Sequence, residues 1–369
     1  MHKPLLASLL LAPLATACTT DDRGTASGPG PGPGPIVMPA AGCTTAVPDT
    51  QVVVGCDFGP SVHPFAVSDG RLYAVSGGTF SAIDLASSAK TRLFRYEFTS
   101  FPAALAAGTV VQDGRLYMPG NVVVDGGVMS ALLSVDAIAP TPDDVPTVVT
   151  WFERYHLQAP MFGDGEHLYA ESTVHEDFSA FSGPVVAIGY DGDDLAPRSP
   201  RYGMPIGLAD DTLYYLHGRT LERMPKTGGT AEVLATDLSD ASFHDRAVDA
   251  DHAYTTTAAA PFELRRFGAN GVNEVVATAH EGNPEVPMSP PHDLRRDGDW
   301  LYFLQDVGGE GSRYRALQRV PADGSGEIEA VVSGEDLTPP VFDGDGLYVA
   351  YTRGGVDEPI EGVVVRIAN

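Results

Sequence analysis

One short phrase occurs seven times in this chain, and it restricts the possible folds more than any other feature. Each copy is a turn rich in Asp and Gly, then an apolar residue, then tyrosine, then a short β-prone run. The copies are Asp69-Gly70-Arg71-Leu72-Tyr73, Asp113-Gly114-Arg115-Leu116-Tyr117, Asp164-Gly165-Glu166-His167-Leu168-Tyr169, Asp210-Asp211-Thr212-Leu213-Tyr214, Asp249-Ala250-Asp251-His252-Ala253-Tyr254, Asp297-Gly298-Asp299-Trp300-Leu301-Tyr302 and Asp343-Gly344-Asp345-Gly346-Leu347-Tyr348. Successive tyrosines are 44, 52, 45, 40, 48 and 46 residues apart. Asp-Gly suits a tight turn between antiparallel strands, because Gly accepts positive φ and Asp bonds the nearby backbone. The apolar residue and the tyrosine are chain neighbours, so they open the next strand on opposite faces.

A period of about 40–50 residues is that of a four-stranded blade, too long for leucine-rich or ankyrin units. No unit carries an amphipathic helical pattern. One such sheet has two faces to bury and is unstable alone; sheets set radially bury each other's faces. The expected fold class is therefore all-β, a seven-bladed β-propeller of four-stranded antiparallel blades over residues 49–369. The 41 Gly and 30 Pro agree with a turn-rich chain. Leu221 to Ala235 reads as strand, Gly228-Gly229 turn, strand, and Arg319-Val320-Pro321-Ala322-Asp323-Gly324 repeats its first half. The phrase Arg223-Met224-Pro225-Lys226-Thr227-Gly228-Gly229 resembles the repeats of YWTD-like bacterial propellers, across roughly residues 50 to 369. The last unit ends on Val363-Val364-Val365-Arg366 without an outer strand. The orphan run Val52-Val53-Val54 is expected to supply it and close the ring, since an unpaired edge is a liability.

The N-terminus reads as an address. His2 and Lys3 precede the apolar run Leu5 to Ala12, which is too short to span a bilayer. Ala15-Thr16-Ala17-Cys18 resembles a bacterial lipobox, which implies cleavage after residue 17, a lipidated Cys18 and a mature chain of 369 − 17 = 352 residues. Ordinary secretion after Ala17 is the alternative. The three cysteines are Cys18, Cys43 and Cys56. Lipidation of Cys18 leaves an even pair, so a Cys43–Cys56 disulfide in an oxidising envelope is expected. Residues 18–48, with alternating Gly and Pro from Gly28 to Pro35, read as an extended tether.

Counting ten residues back from the repeat tyrosines gives His63, His244 and His292 in units 1, 5 and 6, and Ala107, Ala159, Met204 and Thr338 in the others. The propeller resemblance places that phase at the mouth of the central channel, where ligands bind. Asp245 and Asp293 follow two of the histidines. Imidazoles backed by carboxylates suit a divalent metal, so His63, His244 and His292 are candidate metal ligands, and Asp245, Asp293 and Thr338 candidate ligand-binding partners. The plainer reading is that each histidine bonds a neighbouring backbone group and lines a wet channel. Asp191-Gly192-Asp193-Asp194 and Asp343 to Gly346 lack the 12-residue loop ending in Glu of an EF-hand, and read as turns.

There is no Gly-x-Ser-x-Gly elbow, phosphate loop or His-Glu-x-x-His. With 23 basic and 49 acidic residues the net charge is −26, which argues against nucleic acid and anionic lipid surfaces as partners. Two functions follow as expectations. The first is a monomeric, lipid-anchored envelope module binding a protein, peptide or glycan, with Ala139 to Val149 and Glu171 to Gly183 as variable loops. The second is a metal-dependent lyase or hydrolase acting at the channel mouth. Propellers host both kinds of work.

Overall fold

The computed structural model describes residues 37–38, 51–59, 61–95, 106, 108–124, 127–138, 146–152, 155–176, 179–238, 241–283, 285–309, 312–344, 346–353 and 361–368. All fall within the compact unit Gly34–Asn369. The protein is all-β, built of antiparallel sheets that follow one another along the chain. The first two strands, β1 (Val37–Met38) and β2 (Gln51–Phe58), precede the repeats.

Sheet 1 holds β3 (Val62–Ser68), β4 (Arg71–Ser76), β5 (Thr79–Asp84) and β6 (Lys90–Arg95). Sheet 2 holds β7 (Val110–Gln112), β8 (Arg115–Val124), β9 (Gly127–Asp136) and β10 (Thr147–Phe152). Sheet 3 runs through β11 (Tyr155–Gly163), β12 (His167–Glu176), β13 (Ser179–Gly189) and β14 (Ala196–Tyr202). Sheet 4 comprises β15 (Met204–Ala209), β16 (Thr212–His217), β17 (Thr220–Pro225) and β18 (Glu232–Ala235). Sheet 5 comprises β19 (Ala241–Val248), β20 (His252–Thr257), β21 (Glu263–Gly268) and β22 (Val272–Thr278). A two-stranded hairpin, β23 (Gly282–Asn283) and β24 (Val286–Pro287), comes next. The remaining strands are β25 (His292–Asp297), β26 (Trp300–Asp306), β27 (Tyr314–Pro321), β28 (Glu329–Glu335), β29 (Val341–Phe342), β30 (Gly346–Arg353) and β31 (Glu361–Ala368). They form one larger sheet with β2, in which β25–β28 join β29–β31 through the single pair Glu335–Thr352.

The repeated phrase explains why these sheets need each other. The tyrosines of all seven copies are buried, from Tyr73 and Tyr214 at 0 % exposure to Tyr117 at 6 %. Their apolar neighbours, from Leu72 to Leu347, are buried too. Adjacent residues on one strand point to opposite faces. Each sheet is thus covered on both faces, and the apolar clusters show by what. Tyr73 and Phe80 of sheet 1 pack with Leu116 and Met118 of sheet 2. Tyr117 packs with Leu168, Tyr169 with Leu213, Tyr214 with Ala253, Tyr254 with Leu301, and Tyr302 with Leu347. In a further cluster Tyr348 and Val364, from the last strands, meet Leu72 and Ile83 of sheet 1 together with Val54 and Phe58 of β2. β2 itself pairs with β31 in the register Gln51–Ile367, Val52–Arg366 and Val53–Val365.

The turns come in two lengths. Ser68–Arg71, Gln112–Arg115, Ala209–Thr212 and Asp297–Trp300 flank two-residue loops. Asp69 and Gly70 have φ 51° and 70°, and Asp113 and Gly114 have φ 48° and 71°. Both residues of each turn are left-handed, which matches the twist of the hairpin and requires residues such as Asp and Gly. Gly163–Leu168, Val248–Ala253 and Phe342–Leu347 instead flank four-residue loops. There the first Asp ties the turn together. Asp249 Oδ1 accepts the N–H groups of Asp251 and His252 at 2.8 Å, and Oδ2 accepts the Tyr254 hydroxyl at 2.6 Å. Asp164 binds Glu166, His167 and Tyr169 in the same way, and Asp343 binds Gly346 and Tyr348.

Two stretches differ from the sequence reading. Val37 and Met38, inside the expected tether, pair with Thr91 and Lys90 as a fifth strand on sheet 1. The exposed ladder of an outer strand gives even a two-residue apolar segment somewhere to bond. Residues 171–183, expected as a variable loop, instead continue the β12–β13 hairpin out to Glu176–Ser179. Of the other expected loop, 139–145 lies outside the described residues and Thr147–Val149 belong to β10.

Candidate functional site

The first strands of successive sheets lie against one another, β3 on β7, β7 on β11, β11 on β15, β15 on β19 and β19 on β25. Residues of one repeat phase therefore gather at one end of these strands. His63 is in β3 opposite Val75, and His292 opens β25 opposite Leu304. His244 lies in β19, but its side chain and that of Asp245 fall outside the described residues.

His292 is held at both ring nitrogens. Nδ1 is 3.0 Å from Asp293 Oδ2, and Nε2 is 3.1 Å from Asp306 Oδ1. Asp306, at the end of β26, also accepts Arg315 Nε at 3.0 Å, and Arg315 Nη1 donates to the Leu337 carbonyl at 3.1 Å. Charges thus alternate along the row Arg315, Asp306, His292, Asp293 when His292 is protonated. Asp293 has φ 55°, where the β25–β26 register shifts between His292 and Arg295. Asp is among the few residues that adopt this left-handed conformation readily. Beside this row Asp336 accepts Arg313, and Thr352 Oγ1 donates to it at 3.0 Å.

Burial disfavours the charged form of His292, but hydrogen bonds and proximity to Asp293 and Asp306 outweigh it and raise its pKa above 6.5. Burial pushes Asp293 up, and its bond to His292 with the nearby Arg295 and Arg315 pulls it below the usual carboxylate range. Asp336 is lowered by its bond from Arg313 against a smaller effect of burial. His63 goes the other way from His292. Burial lowers its pKa and outweighs the opposing influence of Asp293 and Asp336, while Arg315 lowers it further. His63 is neutral at pH 7, within electrostatic reach of groups from two other parts of the fold. No protein group among the described residues hydrogen-bonds its ring.

Thr338 was expected to face a ligand and is instead buried at 1 % exposure. Its Oγ1 accepts the Ala350 N–H at 2.8 Å, and its own N–H donates to the Ala350 carbonyl, so it pins the start of the last repeat. Repeat phase fixes the height of a residue along its strand and says nothing of whether the next strand covers it. Asp306, Arg315, Asp336 and Arg313 were not found from the sequence. Asp306 follows its repeat tyrosine by four positions and sits diagonally from His292, a relation visible only once strand pairing is known.

Cys18 and Cys43 lie outside the described residues, as does the whole proposed signal sequence. Cys56, Asp57 and Glu361 bring possible metal-ligand atoms within 4.8 Å of one another. Glu361 is there for another reason, since its Oε1 accepts the Asp57 N–H at 2.8 Å, and Cys56 already has an interaction partner. Among the described residues no helix is long and apolar enough to cross a membrane.

Fold and site together define an all-β protein of repeated four-stranded antiparallel sheets with a charged, histidine-containing cluster at one end of its first strands. No family model matches the chain, and no curated protein matches it. Solved structures with a related arrangement include a chain of the nidogen/laminin complex, at 11 % identity and TM-score 0.44, covering 74 % of this chain and 93 % of that one. PorZ, a surface component of the type-IX secretion system of Porphyromonas gingivalis, has 10 % identity and TM-score 0.41; the match covers 82 % of this chain but only 43 % of PorZ. A luciferin-regenerating enzyme has 15 % identity and TM-score 0.43, over 91 % of this chain and 96 % of that one. These neighbours include propeller-type folds. At such identities and TM-scores they carry no information on what this chain binds.

Proposed function

We propose that the chain is a seven-bladed β-propeller, closed by β2 in its last blade, that works as a binding module of the bacterial envelope and holds a protein, peptide or glycan on the end bearing His63 and His292. The closed ring is supported by the apolar clusters that link each sheet to the next and the last strands to the first. A lipid anchor on Cys18, with the chain up to β1 as tether, belongs to the same reading and rests on the lipobox-like sequence. A Cys43–Cys56 bridge also belongs to it, supported by the cysteine count and by the burial of Cys56 in β2.

The observation that carries the binding reading is the charged cluster of His292, Asp293, Asp306 and Arg315 at the same end of the first strands as His63. Charges from β25, β26 and β27 are paired with one another there, and among the described residues no protein group hydrogen-bonds the His63 ring. Rigid paired charges beside an open polar group are what a recognition site needs. The metal-dependent alternative is less well supported. Both His292 nitrogens are committed to carboxylates, which leaves no lone pair for an ion in this arrangement. A photo-crosslinking residue at position 63, compared with one at Asp211 in an exposed turn at the opposite end of the strands, tests the reading in intact cells. Discrete adducts from position 63 and none from 211 are expected. Equal labelling from both ends contradicts it.

A further inference from the structure

The binding reading concerns the strand ends that carry His63. A second surface lies on the outer strand of sheet 1, and it is independent of that reading. We propose that the outer edge of β6 receives an extended acidic peptide, which takes the place of β1 and adds a strand to sheet 1.

Other sheets show the pairing that sheet 1 lacks. Arg223 of β17 stands directly opposite Glu232 of β18, Arg266 of β21 opposite Glu274 of β22, and Arg319 of β27 opposite Glu329 of β28. Each of these cross-strand pairs is a salt bridge. In sheet 1 the outer strand β6, Lys-Thr-Arg-Leu-Phe-Arg, carries the cations itself and has no acid. Opposite Lys90, Arg92 and Arg95 stand Ile83, Ser81 and Thr79 of β5. Those are alternate residues, so they share a face, and the three cations share it with them. The register shift between Phe80 and Ser81 leaves Leu93 as the extra residue that brings Arg92 and Arg95 onto one face. Lys90 is engaged with the Cys56 and Asp57 carbonyls. Arg92 and Arg95 are exposed, and among the described residues neither side chain has an ion pair or hydrogen bond.

β5 offers these arginines no carboxylate, so the matching acids belong on the far side of β6. There β1 holds only two positions, Val37 opposite Thr91 and Met38 opposite Lys90. Among the described residues no strand pairs with Arg92 to Arg95 on that side. β1 shows that the edge accepts an antiparallel strand, and its own chain cannot extend the ladder far, because Pro35 has no N–H to give. In strand addition the main chain supplies affinity and alternate side chains supply specificity. A Glu-x-Glu segment puts both acids on one face, where they meet Arg92 and Arg95 as the glutamates of β18, β22 and β28 meet their arginines. The same charges exclude other occupants. The β6 edge of a second copy brings cations against cations. The −26 net charge opposes an anionic membrane surface.

The test uses the peptide Thr-Glu-Val-Glu-Val-Thr, its counterpart with Gln for Glu, a fully N-methylated form of the acidic peptide, and phosphatidylglycerol vesicles. Each is titrated into the mature chain while the backbone amide NMR signals of Arg92 to Arg95 are followed. The acidic peptide is expected to shift them. The Gln peptide is expected to bind between about twofold and about thirtyfold more weakly, the effect of two opposite-charge cross-strand pairs. The double variant Arg92→Gln, Arg95→Gln is expected to lose the same factor toward the acidic peptide. The N-methylated form, which has no donors for a ladder, is expected not to bind. Equal binding of the Glu and Gln peptides overturns the proposal, and so does equal binding of the N-methylated form. Amides of β6 that stay unmoved by the acidic peptide overturn it too. A shift by the vesicles without one by the acidic peptide overturns it in favour of a lipid surface. None of these results bears on crosslinking from position 63, so the two readings fail separately.

Discussion

Phe58 offers the sharpest test of how the two ends of the chain are joined. It lies at the end of β2, 7 % exposed, in the cluster that unites Val54, Leu72, Ile83, Tyr348 and Val364. Lys90 from β6 stands over its ring, with Nζ 4.3 Å from the centroid, and donates 2.9 Å hydrogen bonds to the Cys56 and Asp57 carbonyls. Phe58→Ala removes a buried ring between the first sheet and the last strands. A truncation of that size costs about 3–5 kcal/mol when the site cannot collapse, and rigid strands on both sides limit collapse here. Loss of the cation–π contact adds roughly 0.5–2 kcal/mol, for a combined cost of about 3.5–7 kcal/mol. For a domain of about 320 residues that is a fall of roughly 5–10 °C in Tm. Urea unfolding followed by fluorescence and circular dichroism measures it. Val233→Ala, on β18 at 54 % exposure, is the control and is expected within about 0.5 kcal/mol of wild type. Lys90→Met keeps the aliphatic stem, and a cycle with Phe58→Ala is expected to give a coupling of about 0.5–2 kcal/mol. A Phe58→Ala cost below about 1 kcal/mol refutes the reasoning, because β2 is then a dispensable tail.

The other predictions concern charge. Asp164 is held down to a pKa of about 2: burial raises it, but the His167 and Glu166 N–H groups, Lys226 and Tyr169 more than compensate. A depressed carboxylate stabilises the fold above its unfolded pKa of 3.8, and that contribution disappears as pH falls toward 2. Asp164→Asn is therefore expected to cost about 1–2 kcal/mol at pH 6 and to lose less stability than wild type between pH 5 and 2.5, as read by urea midpoints across pH. In an NMR titration His63 is expected to protonate below pH 6.5 and His292 above it, which inverts if their surroundings are misread. The ion pairs of His292 should add stability below pH 6.5 that is lost as pH rises through its raised pKa, and His292→Gln should remove that slope. Intact-mass analysis of the mature protein is expected to show acyl chains on Cys18; an unmodified thiol there removes the anchor from the account.

The sheets were legible in the sequence because one phrase does three structural jobs at once. Its Asp and Gly make the turn, and its apolar residue and tyrosine each enter a different inter-sheet cluster. The two turn lengths were hidden, because Asp297 and Asp164 both stand five places before their tyrosines, yet Asp297 flanks a two-residue loop and Asp164, like Asp249 and Asp343, opens a four-residue loop and bonds its tyrosine. β1 was invisible for a different reason: Val37-Met38 is too short to show any period. His63, His292 and Asp293 came from repeat phase, which fixes height along a strand. Their partners Asp306, Arg315 and Asp336 came from pairing across strands, which leaves no fixed spacing in sequence. Thr338 shares the phase and is covered, so phase alone overstates what reaches the surface.

The account stands or falls with β2 lying beside β31. Val53 and Val365 are directly paired, and facing residues of antiparallel strands have Cα atoms about 4.5–5.5 Å apart, within reach of a disulfide. The double variant Val53→Cys, Val365→Cys, oxidised and digested without reductant, is expected to yield the cross-linked peptide pair from a single monomeric chain. Thiols left free at both positions, or bridges found only between chains, contradict it.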